Sequence, residues 1–276
     1  MFRVMAPLAL AGLVLSPAWP LASQEPSWSL EHLSDRIPRT ELDAITGRGR
    51  QLAAYDMAAW HGTDAVLALH PAGDRVRSYI ARGRQDGLWE VVFGRPSTDT
   101  DTFYVAYRAV QAARGDTSFT AEALEPAFAD TEYYARAARA LGVGGADLGR
   151  VSRPYNSVVL PVTKSGEWLV YLMPAPTRAG YWPLGADTRY RITRDGRNIL
   201  EKRRLHNTVI EYGPPPARDG AELKAGYHTA VLDDRPEDTD VFLALTRQPR
   251  VPEYIVSQTF YFRIDRDGRI TAYDRE

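Results

Sequence analysis

The chain of 276 residues contains no cysteine. Thiol catalysis, disulfide exchange, zinc–thiolate sites and iron–sulfur clusters are therefore excluded. An exported eukaryotic domain of this size would usually carry disulfides, so their absence favours a bacterial protein. Lysine is scarce as well. Of the 34 basic residues, only three are lysines, Lys164, Lys202 and Lys224, and the others are arginines. Such a preference for arginine is typical of a GC-rich genome.

A large net charge and the common catalytic signatures are also lacking. The formal net charge of −1 predicts no general attraction to nucleic acid or to anionic lipid. The sequence contains no G-x-S-x-G, H-E-x-x-H or Walker A motif, and no G-x-G-x-x-G between a strand and a helix. We therefore expect no nucleic-acid partner and no cofactor.

The N-terminal residues have the order of a secretory signal peptide. Arg3 precedes an apolar run over residues 4–15 that is too short to span a bilayer, and small residues lead to a polar segment from Gln24. We expect a signal peptide over 1–23, with cleavage after Ala18 or Ser23 and no cysteine to carry a lipid. The mature protein is predicted to be periplasmic or secreted, with no transmembrane span.

Residues 24–148 are predicted to form a small α+β region. Thr40 and Asp43 indicate a capping box for a helix whose apolar stripe includes Tyr55 and Trp60 and which ends or bends near His61. Alternation over residues 77–110 predicts a three-stranded antiparallel meander. A second helix is predicted over 120–141, with Phe128 on its buried face and with three glycines to end it, Gly142, Gly144 and Gly145.

Residues 149–276 are predicted to form a larger antiparallel sheet that can share one core with the first region. Short strands joined by glycine-containing turns, such as Asp195-Gly196, are typical of hairpins. The predicted strands include residues 206–212, 227–232, 240–245 and 254–264. The fold class is therefore α+β, with N-terminal helices and a small antiparallel meander followed by a larger antiparallel β-sheet half.

His206 and His228 are the candidate catalytic residues, together with Asp233 and Asp234. A histidine beside a carboxylate can act as a general base or as a metal ligand. Strand alternation, however, places His228 and Asp233 on opposite faces of a strand. A structural role for both histidines is the alternative.

The acidic segment 233–240 offers Asp234, Asp238 and Asp240 as candidate metal ligands, because hard cations favour clustered oxygen atoms. No ligand spacing of a known metal loop is visible in it. A solvated turn that keeps a sheet edge soluble would account for the same charges. The sequence therefore offers candidate ligands without assigning a metal site.

Two further groups are candidates for ligand binding. Arg194 and Arg203 belong to a basic stretch that could contact an anionic partner, although an exposed hairpin explains it as well. Tyr181 and Trp182 lie in a predicted loop beside Gly180 and Pro183, where aromatic faces could stack on a sugar. Packing in the core is the alternative for these aromatic residues.

Taken together, these features predict an exported bacterial envelope protein that is a binding or interaction module without catalysis. Its partner could be an envelope protein or a glycan, and a partner protein could pair with a sheet edge. The alternative is a cell-envelope hydrolase that uses His206 or His228 with an aspartate of 233–240. Convergence of both histidines on a carboxylate inside a pocket would favour the hydrolase. The oligomeric state is left open.

Overall fold

A computed structural model describes residues 32–98, 100–214 and 222–275. These residues have the predicted α+β fold, with three helices and fourteen mostly antiparallel strands. The predicted signal peptide over 1–23 lies outside the described residues. The helices are α1 (Arg39–Leu67), α2 (Tyr133–Leu148) and α3 (Asp238–Thr246).

The strands of the N-terminal region form one antiparallel sheet in chain order. They are β1 (Ser78–Gly83), β2 (Trp89–Pro96), β3 (Phe103–Gln111) and β4 (Phe119–Asp130). A second antiparallel sheet has the order β5-β6-β8-β9. Its strands are β5 (Tyr155–Pro161), β6 (Trp168–Pro174), β8 (Thr188–Ile192) and β9 (Ile199–Arg204).

The remaining strands form a two-stranded ladder and a third sheet. The ladder pairs β7 (Trp182–Leu184) with β10 (Ile210–Tyr212). The third sheet consists of β11 (Gly226–Thr229), β12 (Glu253–Val256), β13 (Phe260–Ile264) and β14 (Ile270–Asp274). In it, β11 and β12 are parallel, because α3 lies between them in the chain and supplies the crossover that parallel neighbours need.

Helix α1 joins two hydrophobic clusters. Its C-terminal half packs with the first two sheets and α2, whereas its N-terminal half packs with α3 and the third sheet. The first cluster draws residues from both 24–148 and 149–276. Within the described ranges, no helix combines the length and the apolarity needed to cross a membrane.

The predicted helix over 120–141 is wrong in its N-terminal part, whereas residues 133–141 are helical. Residues Phe119–Asp130 form β4, which pairs with β3, because sheet pairing overrides the helix propensity of the alanine-rich segment. Phe128 is consequently 56% exposed. Helix α2 begins only at Tyr133 and continues through the three glycines that were expected to stop it, ending before Gly149, whose φ is 73°.

Helix α1 also differs from the prediction. It is continuous past His61, and its N-cap is Pro38, with no side-chain capping bond from Thr40. Gly62 keeps the helix close to the first sheet, since a Cβ there would lie 2.8 Å from Val91 Cγ2. Trp60 is not a core residue of the stripe but is 59% exposed.

Three of the predicted strands are corrected in the C-terminal half. Residues 240–245 belong to helix α3, because Glu237 and Asp240 form a capping box that starts a helix there. The stretch 254–264 is a hairpin of β12 and β13, and only residues 210–212 of the strand predicted over 206–212 are extended. His206 therefore lies in a connecting segment.

Candidate functional site

His206, His228 and Asp240 are brought to one point by three different elements. His206 follows β9, and His228 is the third residue of β11, whose alternating burial turns this side chain inward. Asp240 lies in the first turn of α3. Its Oδ2 accepts a hydrogen bond of 2.7 Å from the backbone N–H of Glu237, so the capping box holds the carboxylate in place.

Both imidazoles face the same carboxylate oxygen. The Nε2 atoms of His206 and His228 each lie 3.1 Å from Oδ1 of Asp240. The two rings are 5.8 Å apart and nearly perpendicular, at 71°. The His228 and Asp240 side chains are each only 1% exposed, and that of His206 is 13% exposed.

The other nitrogen of each ring contacts a second carboxylate. Nδ1 of His206 lies 2.9 Å from Asp187 Oδ1, and Nδ1 of His228 lies 2.9 Å from Glu253 Oε1. An ionised carboxylate only accepts, so each Nδ1–H is the donor. Glu253 also accepts a hydrogen bond of 2.7 Å from the Tyr212 hydroxyl and pairs with Arg247 at 2.7 Å.

Burial and charge act in opposite directions on these groups. Burial disfavours the charged imidazoles, but the Asp240 carboxylate and the hydrogen bonds to neighbouring carboxylates outweigh it. The pKa of His206 is raised to about 11 and that of His228 to about 9. Burial would raise the pKa of Asp240, yet the two imidazoles lower it far below its ordinary value.

The His228 and Asp240 side chains are in contact but do not have the angular geometry of a hydrogen bond. Nε2 of His228 and Oδ1 of Asp240 are both buried and have no hydrogen-bond partner among the described residues, although they are 3.1 Å apart. Two imidazole nitrogens and a carboxylate oxygen within 4.8 Å of one another are also a set of atoms that can hold a metal ion.

The structure places the other acidic candidates away from this cluster. Asp233 pairs with Arg203 at 2.7 Å, and Asp234 accepts a hydrogen bond of 2.9 Å from the backbone N–H of Thr259. Asp238 is buried among Arg48, Arg189 and Tyr171. Of the candidate metal ligands, only Asp240 meets the two histidines.

The two basic candidates do not form one binding surface with the cluster. The Arg203 guanidinium is occupied by Asp233 and Glu237, at 2.7 and 2.6 Å. Arg194 is exposed, its side chain lies beside Gly166, and its backbone carbonyl accepts a hydrogen bond of 3.1 Å from Trp168 Nε1. Arg203 therefore forms ion pairs within the fold, and Arg194 takes part in contacts near a turn.

Tyr181 and Trp182 line a cleft of about 660 Å³ beside the cluster. Its walls come from α1, α3 and the segment around β7, and are mainly aromatic or aliphatic. They include Met57, Trp60, Tyr79, Met173, Pro174, Tyr181, Trp182, Leu184, Phe242 and Leu243. Asp187 and Thr239 also line the cleft, so it adjoins the neighbours of His206 and Asp240.

A few polar groups lie within these apolar walls. Burial raises the pKa of Asp56 to about 6, and no described residue forms an ion pair with it. Oγ1 of Thr239 is buried and has no hydrogen-bond partner among the described residues. Arg178 stacks on Tyr181, with its guanidinium carbon 3.7 Å from the ring centroid.

Several residues of the site could not be recognised from their sequence context. Asp187 and Glu253 are single carboxylates far from either histidine in the chain, and only the folding of β8 and β12 brings them to the rings. Trp60 lies on the expected apolar stripe of α1, which concealed its exposure. Asp56 follows the buried Tyr55 on the same helix, and a charge inside an apolar stretch is the one signal that could have found it.

Comparison with models of protein families, with curated proteins and with solved structures finds no match to this chain.

Proposed function

We propose that this protein is an exported binding module of the bacterial envelope that takes a small, largely apolar ligand into the aromatic cleft without catalysing a reaction. The observation that carries the proposal is the cleft itself. A concave site of 300–1,000 Å³ with apolar walls and a few convergent polar groups is typical of small-molecule binding. At about 660 Å³, the cleft lies within that range.

The walls and the polar groups together indicate the chemistry of the ligand. Trp60 and Trp182 offer aromatic faces from opposite parts of the chain, and such faces favour a flat or aliphatic body. The Thr239 hydroxyl and the Asp56 carboxyl supply one or two hydrogen bonds within the cleft. A ligand with an apolar body and one hydrogen-bonding group therefore suits it better than a glycan with many hydroxyls.

The alternative of a hydrolase rests on the convergence of His206 and His228 on Asp240. A general base must reach the proton that it abstracts. His228 and Asp240 are both almost completely buried, and none of the three residues lines the cleft. The histidines therefore converge beside the cleft without lining the space in which a substrate would lie, and binding without catalysis is the better supported function.

Binding of the neutral apolar dye Nile red tests the proposal. Its fluorescence rises in apolar surroundings, and we expect saturable binding to one site. Trp60→Ala removes an exposed ring from the cleft, so we expect the dye to bind about tenfold more weakly, since an aromatic contact contributes about 1 kcal/mol or slightly more. Phe128→Ala is the matched control, because Phe128 is equally exposed but lies outside the cleft.

Equal affinity of both variants and the unaltered protein would contradict the proposal, as would the absence of saturable binding. The exported location needs a separate measurement. Osmotic-shock fractionation of bacteria that produce the chain should release a protein from which the predicted signal peptide has been cleaved. A full-length chain retained in the cytoplasm would contradict export.

A further inference from the structure

We infer that His206, His228 and Asp240 bind a single divalent transition-metal ion, with zinc as the ion that best suits the ligands. The inference adds a metal site to the proposed ligand cleft and does not depend on it. It rests on the geometry of the three side chains, on the groups behind them, and on the charge that surrounds them.

The distances between the ligand atoms suit one shared ion. Atoms bound about 2.1 Å from the same zinc ion, at angles between octahedral and tetrahedral, lie about 3.0–3.4 Å from each other. The Nε2 atoms of His206 and His228 lie 3.1 Å from Asp240 Oδ1. All three ligand atoms lie within 4.8 Å of one another.

The second nitrogen of each ring has the contact that metal-binding histidines usually make. A metal-bound imidazole almost always donates its other N–H to a carboxylate, a carbonyl or a water molecule, which fixes the tautomer. Asp187 accepts from Nδ1 of His206 and Glu253 accepts from Nδ1 of His228, each at 2.9 Å. The remaining nitrogen of each ring, Nε2, faces Asp240 and is the atom that would bind an ion.

Two of the three atoms that face the centre form no hydrogen bond with the described residues. Nε2 of His228 and Oδ1 of Asp240 are buried without a hydrogen bond among the described residues, which is costly unless something binds them. The other oxygen of Asp240 is already used by the capping box. The carboxylate is therefore held with one oxygen directed at both imidazoles.

The surrounding charges leave room for a divalent cation. Three carboxylates, those of Asp187, Asp240 and Glu253, face a single guanidinium, that of Arg247. With neutral imidazoles, negative charges exceed positive ones by two, and a divalent ion balances them. Two imidazolium protons would balance them as well, with Asp240 Oδ1 3.1 Å from both Nε2 atoms, and metal titration distinguishes the two states.

The ligand set selects among metals. Imidazole nitrogens suit zinc, copper, nickel and cobalt, whereas calcium and magnesium need mainly oxygen ligands. Because the ligands come from the segment after β9, from β11 and from α3, a bound ion would connect three separate parts of the C-terminal half. Its expected role is to hold these parts together.

Metal titration of the purified protein tests the inference. After removal of metals by a chelator, which is then dialysed away, isothermal titration calorimetry with zinc should show one ion bound per chain. Cobalt should give visible absorption bands of a nitrogen- and oxygen-bound ion. We expect His206→Asn to weaken zinc binding at least 100-fold, and Asp187→Asn to weaken it about tenfold to 100-fold, as outer-shell changes do.

His70→Asn is the matched control, because His70 is exposed and lies outside the cluster, so its zinc affinity should match that of the unaltered protein. Circular dichroism shows whether each variant is folded. If His206→Asn does not fold, the cobalt spectrum of the unaltered protein decides. The absence of cobalt bands, the absence of zinc binding, or unchanged binding by a folded His206→Asn would overturn the inference.

Discussion

Asp238 and Asp240 lie two residues apart in the first turn of α3, and both are buried. Their neighbours differ in kind. Asp238 accepts hydrogen bonds from Arg48 at 2.8 Å, Arg189 at 2.6 Å and Tyr171 at 2.7 Å. Asp240 faces two imidazoles, and one of its oxygens has no hydrogen bond.

The difference between these carboxylates lies in what their partners can exchange. A guanidinium is permanently charged and cannot bind a metal, so the bonds around Asp238 are fixed and their role is structural. An imidazole can hold a proton or a metal ion on the same nitrogen. One helical turn therefore carries an ion pair that can only stabilise the fold and a cluster whose state can respond to metal.

The largest expected effect is the loss of the fixed pair. Asp238→Ala leaves two guanidinium groups without their carboxylate, and breaking a buried pair from one side costs about 3–5 kcal/mol. Because Arg48 is partly exposed, we expect a decrease of about 3 kcal/mol in the free energy of unfolding, measured by urea denaturation. The decrease should be the same with chelator and with excess zinc.

Two comparisons sharpen this prediction. Asp267→Ala removes an exposed partner of Arg50 and should change the free energy of unfolding by less than about 1 kcal/mol. Asp240→Asn should abolish any gain in stability that zinc gives the unaltered protein, whereas Asp238→Asn should keep that gain. If zinc stabilised Asp240→Asn as strongly as the unaltered protein, the distinction between the two carboxylates would fail.

The contrast between the two aspartates could be predicted only in part. The acidic segment 233–240 identified Asp238 and Asp240 as candidates, and the two histidines were recognised as the residues most able to carry chemistry. The segment was interpreted as a turn and a strand, however. In the helix that forms instead, residues two positions apart point in different directions, so Asp238 and Asp240 contact different neighbours. The arginines that pair with Asp238 come from α1 and β8, far away in the chain.

Local signals succeeded where turn chemistry decides the structure and failed where packing does. The turns at Gly87, Gly166 and Gly196 placed the hairpins of the first two sheets correctly, since each of these glycines has a positive φ, which glycine adopts without strain. The helix predicted over 120–141 began too early, because β3 pairs with Phe119–Asp130 as a strand. Phe128, expected in the core, is exposed as a result, and Trp60 is exposed although it lies on a helix that was predicted.

Asp56 provides a third kind of carboxylate, which is half-buried and has no ion-pair partner among the residues that the structure describes. Burial raises its pKa to about 6 from 3.8, so its ionisation destabilises the folded state above pH 6, and this penalty disappears as the pH falls towards 4. Asp56→Asn should therefore raise the free energy of unfolding at pH 7 by about 2 kcal/mol. Urea denaturation at pH 7 and at pH 4 measures the effect.

At pH 4 the gain from Asp56→Asn should be close to zero, because the carboxyl is then protonated in the folded state and the two side chains differ little. A gain of the same size at both pH values would show that the charge is not its cause.

The smallest expected effect concerns the position of α3 itself, on which both aspartates depend. Gly49 of α1 lies against this helix, and a Cβ there would be 2.4 Å from Val241 Cβ and 2.7 Å from the Asp238 carbonyl oxygen. Gly47, one half-turn away, has nothing within 4 Å of such a Cβ. Gly47→Ala should therefore stabilise the protein by about 0.5–1 kcal/mol, through helix propensity alone.

Gly49→Ala has the same gain in propensity but must push α3 away from α1, so its net effect should be destabilising, and thermal denaturation of the two variants compares them directly. The displacement moves Asp238 away from Arg48 on α1, whereas His206 and His228 belong to other elements than α1. Equal stabilisation by both substitutions would mean that α3 is not seated on Gly49.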